Sequence, residues 1–422
     1  MSRSLNVYLF GRKAGVLTED EQSRLSFRYE PDVQAPLSVR MPVRTEEYLH
    51  DHAYPFFENL IPEGSPLEII ADRMHIPENN PFSVLDKIGG DCAGAVALYE
   101  GEIPDRLHEP LREITGAEMA RIIDTLPENP LLTSMDNPPR LSLAGAQFKF
   151  AVCAGTGAIA PAEALYFCPN EDYPSTTIIK IEHKVYKNLL HNELFCMMLG
   201  RSFGLNIPQI RLCETEGRLF LDIARYDREP EPVNHDRIIK SARIHQEDFC
   251  QALGRPSGRK YQADGGPDLR NCYQAITQYS SSKVADAFSF LQWTAFNYLI
   301  GNADAHAKNL SFLHKNGRIT LAPFYDLLST EIYPEKLSSR KIAMLINGKD
   351  QYEKMRHKDF LALYEQLDLN PSQTMKNTAH FFAKAAEKAD SLRNQLNSVR
   401  LTASPVYDDI IGLIKKRLSV FG

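Results

Sequence analysis

The chain has 422 residues with 48 Lys and Arg against 54 Asp and Glu, a formal net charge of −6. That length suits two or three units able to bury cores, and the mild acidity disfavours a broad basic face for direct nucleic-acid binding. Seven cysteines without a C-x-x-C pair leave an odd one over, which reads as reduced small hydrophobes of a cytoplasmic protein. No apolar run reaches the roughly 18 residues that span a bilayer, and the short patch Val7 to Phe10 is not a signal peptide, so no membrane association is expected.

The first hundred residues read as a β-rich unit. Leu5 to Phe10 and Gly15 to Leu17, turning at Gly11-Arg12-Lys13, form a hairpin, and Ser26 to Tyr29 a further strand. Pro55 to Pro66 reads as loop, followed by a helix from Ser65 to Met74. A polar connector, Gly101 to Pro110, places a boundary near residue 105 and suggests units 1–105, 106–240 and 241–422.

Leu141 to Val152 places apolar residues on either side of a small-residue kink, Ala144-Gly145-Ala146-Gln147, and Gly155-Thr156-Gly157 offers a hairpin turn. Small residues in such a turn let backbone amides approach phosphate oxygens, although one glycine alone reads as a β-turn. Thr176 to Ile181 is a strand pattern with Lys180 among apolar neighbours, where an ammonium either binds an anion or reaches solvent at a strand edge. A helix running from Asn192 through Leu199 and ending at Gly200 or Gly204 would present Glu193 towards that strand. Arg218 to Ile223, leading into Ala224-Arg225-Tyr226-Asp227-Arg228, closes this β-rich region and supplies a hinge.

Beyond residue 240 the chain reads mainly helical, at Gln246 to Leu253, Ala285 to Ile300, His357 to Leu367, Ala379 to Leu396 and Asp408 to Arg417. The most informative stretch lies here. Val284, Ala287, Phe288, Leu291, Ala295, Phe296 and Leu299 have helical spacing, and Gly301 ends that helix before the polar loop Asn302-Ala303-Asp304-Ala305-His306-Ala307-Lys308-Asn309. A hairpin turning at Asn316-Gly317 follows, then Tyr325-Asp326. Asp304 and Asn309 have the Asp-x-x-x-x-Asn spacing of a kinase catalytic loop, and Asp326 comes 17 residues later. An amide oxygen and a second carboxylate suit Mg²⁺, a hard cation that offsets the charge of ATP, and Asp304 is then left to take a hydroxyl proton. Strands first and helices after predict a two-lobed α+β protein with a cleft between the lobes.

Ser142-Leu143-Ala144-Gly145-Ala146-Gln147, Ile178-Ile179-Lys180, Asn192-Glu193, Arg225-Tyr226-Asp227-Arg228, Gln246-Glu247-Asp248 with Cys250-Gln251, the loop Gly301 to Asn309, and Tyr325-Asp326 together resemble the HipA family. These are serine/threonine-kinase toxins of bacterial toxin–antitoxin modules. The resemblance implies a bilobed protein-kinase-like fold, similar to that of the phosphatidylinositol kinases, with a β-rich N-lobe, an extra N-terminal subdomain and a helical C-lobe. It implies ATP and Mg²⁺ as cofactors, Asp304 as catalytic base, and Lys308 offsetting charge on the transferred group. Asn309 and Asp326 would hold the metal. Ala144, Gly145, Ala146 and Gln147 would form the phosphate loop, with Lys180, Glu193, Tyr226, His306 and Tyr325 completing the nucleotide site, and Ser142 would be the autophosphorylated serine.

Two positions depart from the family pattern: Phe148 stands where an acidic residue often precedes the lysine, and Ala224 occupies an expected acidic hinge position. The implied partners are a small helix-turn-helix antitoxin similar to HipB, operator DNA through that antitoxin, and a protein substrate such as glutamyl-tRNA synthetase or another aminoacyl-tRNA synthetase. Two other readings use the same residues. A pseudokinase would act only as co-repressor with the antitoxin, and a hydrolase would use Asp304, His306 and Asp326 around a transition metal, without further histidines at ligand spacing.

Overall fold

The computed structural model describes residues 2–104, 111–132, 139–145, 147–155, 165–231 and 240–421. Chain contacts divide them into two compact units, one of residues 1–181, 213–257 and 313–318, the other of residues 182–212, 258–312 and 319–422.

In the first unit, strands Arg3–Leu9, Arg12–Glu19, Leu25–Tyr29 and Val96–Tyr99 form an antiparallel sheet in the order third, second, first, fourth. The expected hairpin is present, and its turn is at Phe10-Gly11, both at positive φ, as a turn matched to strand twist requires. Helices His50–Glu58, Ser65–Met74 and Pro81–Ile88 follow. Pro55, read from sequence as the start of a loop, lies inside the first of them. Burial of Phe56 and Phe57 with Phe27, Leu60 and Ile61 outweighs the one backbone donor that proline lacks.

The second sheet contains Glu113–Ile114, Tyr166–Phe167, Lys149–Ala154, Thr177–Ile181, Arg218–Ala224 and Ile210–Thr215, in that spatial order. Its faces serve different clusters. Phe150, Val152, Ile179 and Ile181 pack with Met119 and Ile122 of helix Gly116–Thr125, whereas Ala151 and Ile178 join the cluster beneath the first sheet. Alternation therefore puts Lys149 and Lys180 on the Ala151 and Ile178 face.

Gln246 to Leu253, read as helix, is instead strand His245–Asp248 followed by one helical turn, Phe249–Ala252. Glu247 fixes the extended part by accepting from Ser38 Oγ at 2.6 Å and Val39 N at 2.9 Å. The short helix then starts at a reciprocal cap between Asp248 and Gln251.

The second unit is helical, with Leu189–Ser202, Leu269–Tyr279, Lys283–Ile300, His357–Gln366, Pro371–Phe381, Ala385–Asn397 and Val406–Arg417. The span Ala379 to Leu396 is thus two helices, broken at Lys384, whose φ of 61° is left-handed, while Phe381 and Phe382 pack on Phe203. Helix Leu189–Ser202 starts three residues before Asn192 and gives way at Gly204, with φ 95°. In helix Lys283–Ile300 the periodic residues Val284 and Phe288 face solvent, and burial instead embraces nearly every residue from Phe290 to Ile300. The expected α+β class is the one observed. Among the described residues no helix is long and apolar enough to cross a membrane.

Candidate active site

Gly301 closes helix Lys283–Ile300 in the left-handed conformation, φ 72°, a position suited to glycine, and turns the chain into the polar loop. Every residue of that loop from Asn302 to Asn309 is buried except Asp304, which is exposed. Asn302 does the bracing. Its Nδ2 donates to Asn297 Oδ1 at 2.8 Å and to the Asp326 carbonyl at 3.2 Å, and its Oδ1 accepts from the Asp304 amide at 3.2 Å. One buried amide thus ties together the two carboxylate-bearing positions picked out by sequence spacing. Sequence reasoning gave Asn302 no role, because nothing in a linear pattern shows which neighbour a side chain reaches.

The other sequence-derived residues of this unit join the same cluster. Asn309 Nδ2 donates to the Asp304 carbonyl at 3.1 Å, which sets the amide and directs its Oδ1 the other way. Tyr325 donates to the Lys308 carbonyl at 2.5 Å and shares a bond of 2.9 Å with Ser311. Lys308 and His306 are buried. Asp326 has φ 53°, a left-handed conformation that few residues other than Gly, Asn and Asp adopt. An amide oxygen and a carboxylate from different segments are a donor set that fits Mg²⁺, with water completing it. Among the described residues no group of three or more His, Cys, Asp or Glu is arranged to hold a metal, the arrangement that the hydrolase reading needs.

Behind the loop, Thr330 Oγ1 accepts from the Ala303 amide at 2.8 Å and the Thr330 amide donates to the Gly301 carbonyl at 2.9 Å. Arg417 donates to the Tyr298 carbonyl at 2.6 Å and pairs with Glu331. Glu193 is buried in helix Leu189–Ser202 of this same unit.

The first unit holds Ser142, Ala144, Gly145, Gln147, Lys180 and Tyr226; Ala146 lies outside the described residues, as do Thr156 and Gly157 of the expected turn. Gly145 has φ 100°, and a side chain there would meet Lys149 Nζ at 2.9 Å, so the glycine lets that ammonium approach the loop. Gln147 Nε2 is buried and has no hydrogen-bond partner among the described residues.

Lys180 is not at a strand edge: its strand lies between Lys149–Ala154 and Arg218–Ala224, and the residue is 5% exposed. Its direct partner across the ladder is Lys149. Both ammonium groups stand on one face of the sheet, so a polyanion placed over that face is attracted by both. Gly145, the Gln147 amide and this lysine pair together fit a triphosphate. Lys149 was read from sequence only as a retained residue; its register with Lys180 is the signal that identifies it.

Ser142 is neither on a regular strand nor open to solvent. Its hydroxyl is fully buried and donates to the Leu60 carbonyl at 2.6 Å, and its amide donates to the Asp91 carbonyl at 3.1 Å. The Arg225-Tyr226-Asp227-Arg228 motif is mostly ionic scaffolding. Arg225 pairs with Asp227 at 2.7 Å and Arg228 with Asp91 at 2.7 Å. Burial would raise both carboxyls, but Arg225 and Arg228 outweigh it at Asp227, holding it at about 2, and with Arg243 they keep Asp91 well below the usual range. Tyr226 itself is half-buried and donates to Gln246 Oε1.

Residues 5–99 match the HipA N-terminal domain and residues 141–393 the HipA-like C-terminal domain. The chain belongs to the HipA family. It is 37% identical over 357 residues to Y4mE of Sinorhizobium fredii, which bears a provisional kinase name, covering 82% of this chain and 81% of that one. It is 30% identical over 305 residues to the serine/threonine-protein kinase toxin HipA of Shewanella oneidensis, covering 69% and 66%. The solved structure of HipA from Shewanella oneidensis, in complex with HipB and operator DNA, aligns with a TM-score of 0.82 at 24% identity over 99% of this chain and 96% of that one, which shows a shared fold. This HipA-family chain is a protein kinase, and as a kinase it uses ATP.

Proposed function

We propose that this HipA-family kinase transfers the γ-phosphoryl group of ATP to a protein serine or threonine and acts as the toxin of a toxin–antitoxin pair. The observation that carries the reading is the exposed Asp304 carboxylate on an otherwise buried loop, braced through Asn302 to the segment bearing Asp326. Mg²⁺–ATP supplies the transferable group and neutralises its charge. Asp304 accepts the proton of the attacking hydroxyl. Asn309 and Asp326 offer the metal two oxygen ligands, and the Lys308 ammonium offsets negative charge that develops during transfer. Tyr325 and His306 hold the loop in shape. Gly145, Gln147, Lys149 and Lys180 take the phosphates, with Ala144 and Ala146 completing the loop and Tyr226 and Glu193 assisting the nucleotide.

Labelling with γ-labelled ATP and Mg²⁺ tests this: Asp304→Asn and Asp326→Asn are each expected to lose transfer by roughly a hundredfold or more with the fold intact. Near wild-type labelling by both variants would overturn it. A wild-type chain that binds nucleotide without transferring phosphate would support the co-repressor role instead.

The expected partner is a small HipB-like DNA-binding antitoxin, the kind of protein the Shewanella oneidensis HipA structure contains, with operator DNA reached through it. Co-purification from the native host tests that. A translation component such as glutamyl-tRNA synthetase is the substrate class we favour, and phosphoproteomics after brief expression would name it.

Autophosphorylation of Ser142 is also proposed. Because its hydroxyl is enclosed, modification requires residues 140–145 to leave Leu60, Asp91 and Glu63, and the added charge of roughly −1.5 to −2 then opposes their return. Intact mass after incubation with Mg²⁺–ATP should show one phosphate at Ser142, absent in Asp304→Asn, with lower ATP affinity in the modified form. Undiminished affinity would make the modification incidental.

A further inference from the structure

Tyr261 belongs to none of the sequence motifs, yet its hydroxyl donates to Asp304 Oδ1 at 2.8 Å. The segment carrying it is held from several directions. The Tyr261 carbonyl accepts from the amides of Asp264 at 3.0 Å and Gly266 at 2.9 Å. Gln262 donates its amide to the Ala343 carbonyl at 3.0 Å and accepts from the Leu345 amide at 2.7 Å through Oε1. Ala343 in turn donates to the Ala303 carbonyl of the polar loop at 2.8 Å, so one short segment fixes both the tyrosine and the loop it touches. At Gly266 an added Cβ would lie 2.2 Å from the Arg259 carbonyl and 2.6 Å from that of Tyr261, a fit only glycine permits. The ring meets His306 edge-on with centroids 5.3 Å apart.

We propose that Tyr261 is a positioning residue for phosphoryl transfer, an inference that rests on the reading of Asp304 as the base. An exposed carboxylate can rotate about its last bond and accepts hydrogen bonds at both oxygens. A donor fixed on Oδ1 stops that rotation and leaves Oδ2 to receive the acceptor hydroxyl, so the base is oriented before the substrate arrives. The alternative role for the same contact is a place-holder: a phenol standing where the acceptor hydroxyl must go, which the substrate would have to displace. The two differ in sign.

Tyr261→Phe in the full chain keeps the ring and removes only the donor. Total γ-phosphoryl transfer, to protein and to water, is read in single turnover with γ-labelled ATP, and Mg²⁺–ATP affinity is read separately by calorimetry. The expected result is a fall of roughly ten- to a hundredfold in the transfer rate, the range for a hydrogen bond to a charged group, with ATP affinity and thermal midpoint unchanged. A structural ring alone predicts no change in Tyr261→Phe, and a place-holder predicts faster transfer; either result overturns the proposal. The same substitution in an Asp304→Asn background should add no further loss. An equal additional loss there would show that Tyr261 acts elsewhere and would also overturn it. If Asp304→Asn by itself retained wild-type transfer, the base reading would fail and this proposal with it. If Asp304→Asn is dead and Tyr261→Phe is normal, only the positioning role fails.

Discussion

Replacing Asn302 by alanine should damage stability and transfer together, because one side chain serves both. The substitution deletes the bonds to Asn297 Oδ1 at 2.8 Å, to the Asp326 carbonyl at 3.2 Å and from the Asp304 amide at 3.2 Å. At a net of about 1 kcal/mol each the loss is about 3 kcal/mol, with more if the stranded groups find no water. The residue is 1% exposed, so little water is at hand. For a unit of this size about 3 kcal/mol lowers the thermal midpoint by roughly 6–12 °C. Transfer should fall at least tenfold even well below that midpoint, because Asp304 and the Asp326 backbone lose their common tether. Scanning calorimetry and single-turnover labelling provide the two readings. Asn302→Asp separates the contributions, since it keeps an acceptor for the Asp304 amide but offers no donor to Asn297 or Asp326. An alanine variant that melted within about 2 °C of wild type and transferred phosphate normally would refute the bracing role.

Lys149→Met and Lys180→Met should each raise the KM for ATP, because each removes one of two ammonium groups that face each other across the ladder on one side of the sheet. Unchanged KM in both would remove the pair from the phosphate site. Acid should destabilise the first unit below about pH 6.5, the ordinary histidine value. Burial depresses His245 to about 3, aided by the neighbouring His314, while its Nε2 lies 2.8 Å from the Leu37 carbonyl. Between pH 6.5 and 3 the unfolded chain therefore binds a proton that the folded chain refuses, and stability falls with pH at up to about 1.4 kcal/mol per unit. The depressed carboxyls of Asp91 and Asp227 add the same sign of change at still lower pH. Denaturant unfolding of His245→Gln should show a flatter slope between pH 6.5 and 4, and an unchanged slope would remove His245 as its source.

Where the fold was legible in sequence, a short-range rule governed it. The first hairpin, read with its turn at Gly11-Arg12-Lys13 and found turning one residue earlier at Phe10-Gly11, the Asn316-Gly317 turn, the stop at Gly301 and the helix Ser65–Met74 all follow from local backbone preference. The misreadings arose where distant side chains overrode that preference. Glu247 bonds Ser38 and Val39, about two hundred residues away, and stays extended; Phe381 and Phe382 turn onto Phe203 and break a helix whose periodicity continues.

For the candidate site the division is similar. Spacing alone selected Asp304, Asn309 and Asp326, because metal and base chemistry demand particular side chains at particular separations along a loop. Ordered motifs in the sequence marked the family. Only the tertiary structure set Lys149 opposite Lys180, enclosed the Ser142 hydroxyl, and brought Asn302 and Tyr261 to Asp304. Each of these depends on strand register or on segments far apart in the chain meeting in space. A linear pattern records the identity of such residues without recording what they touch.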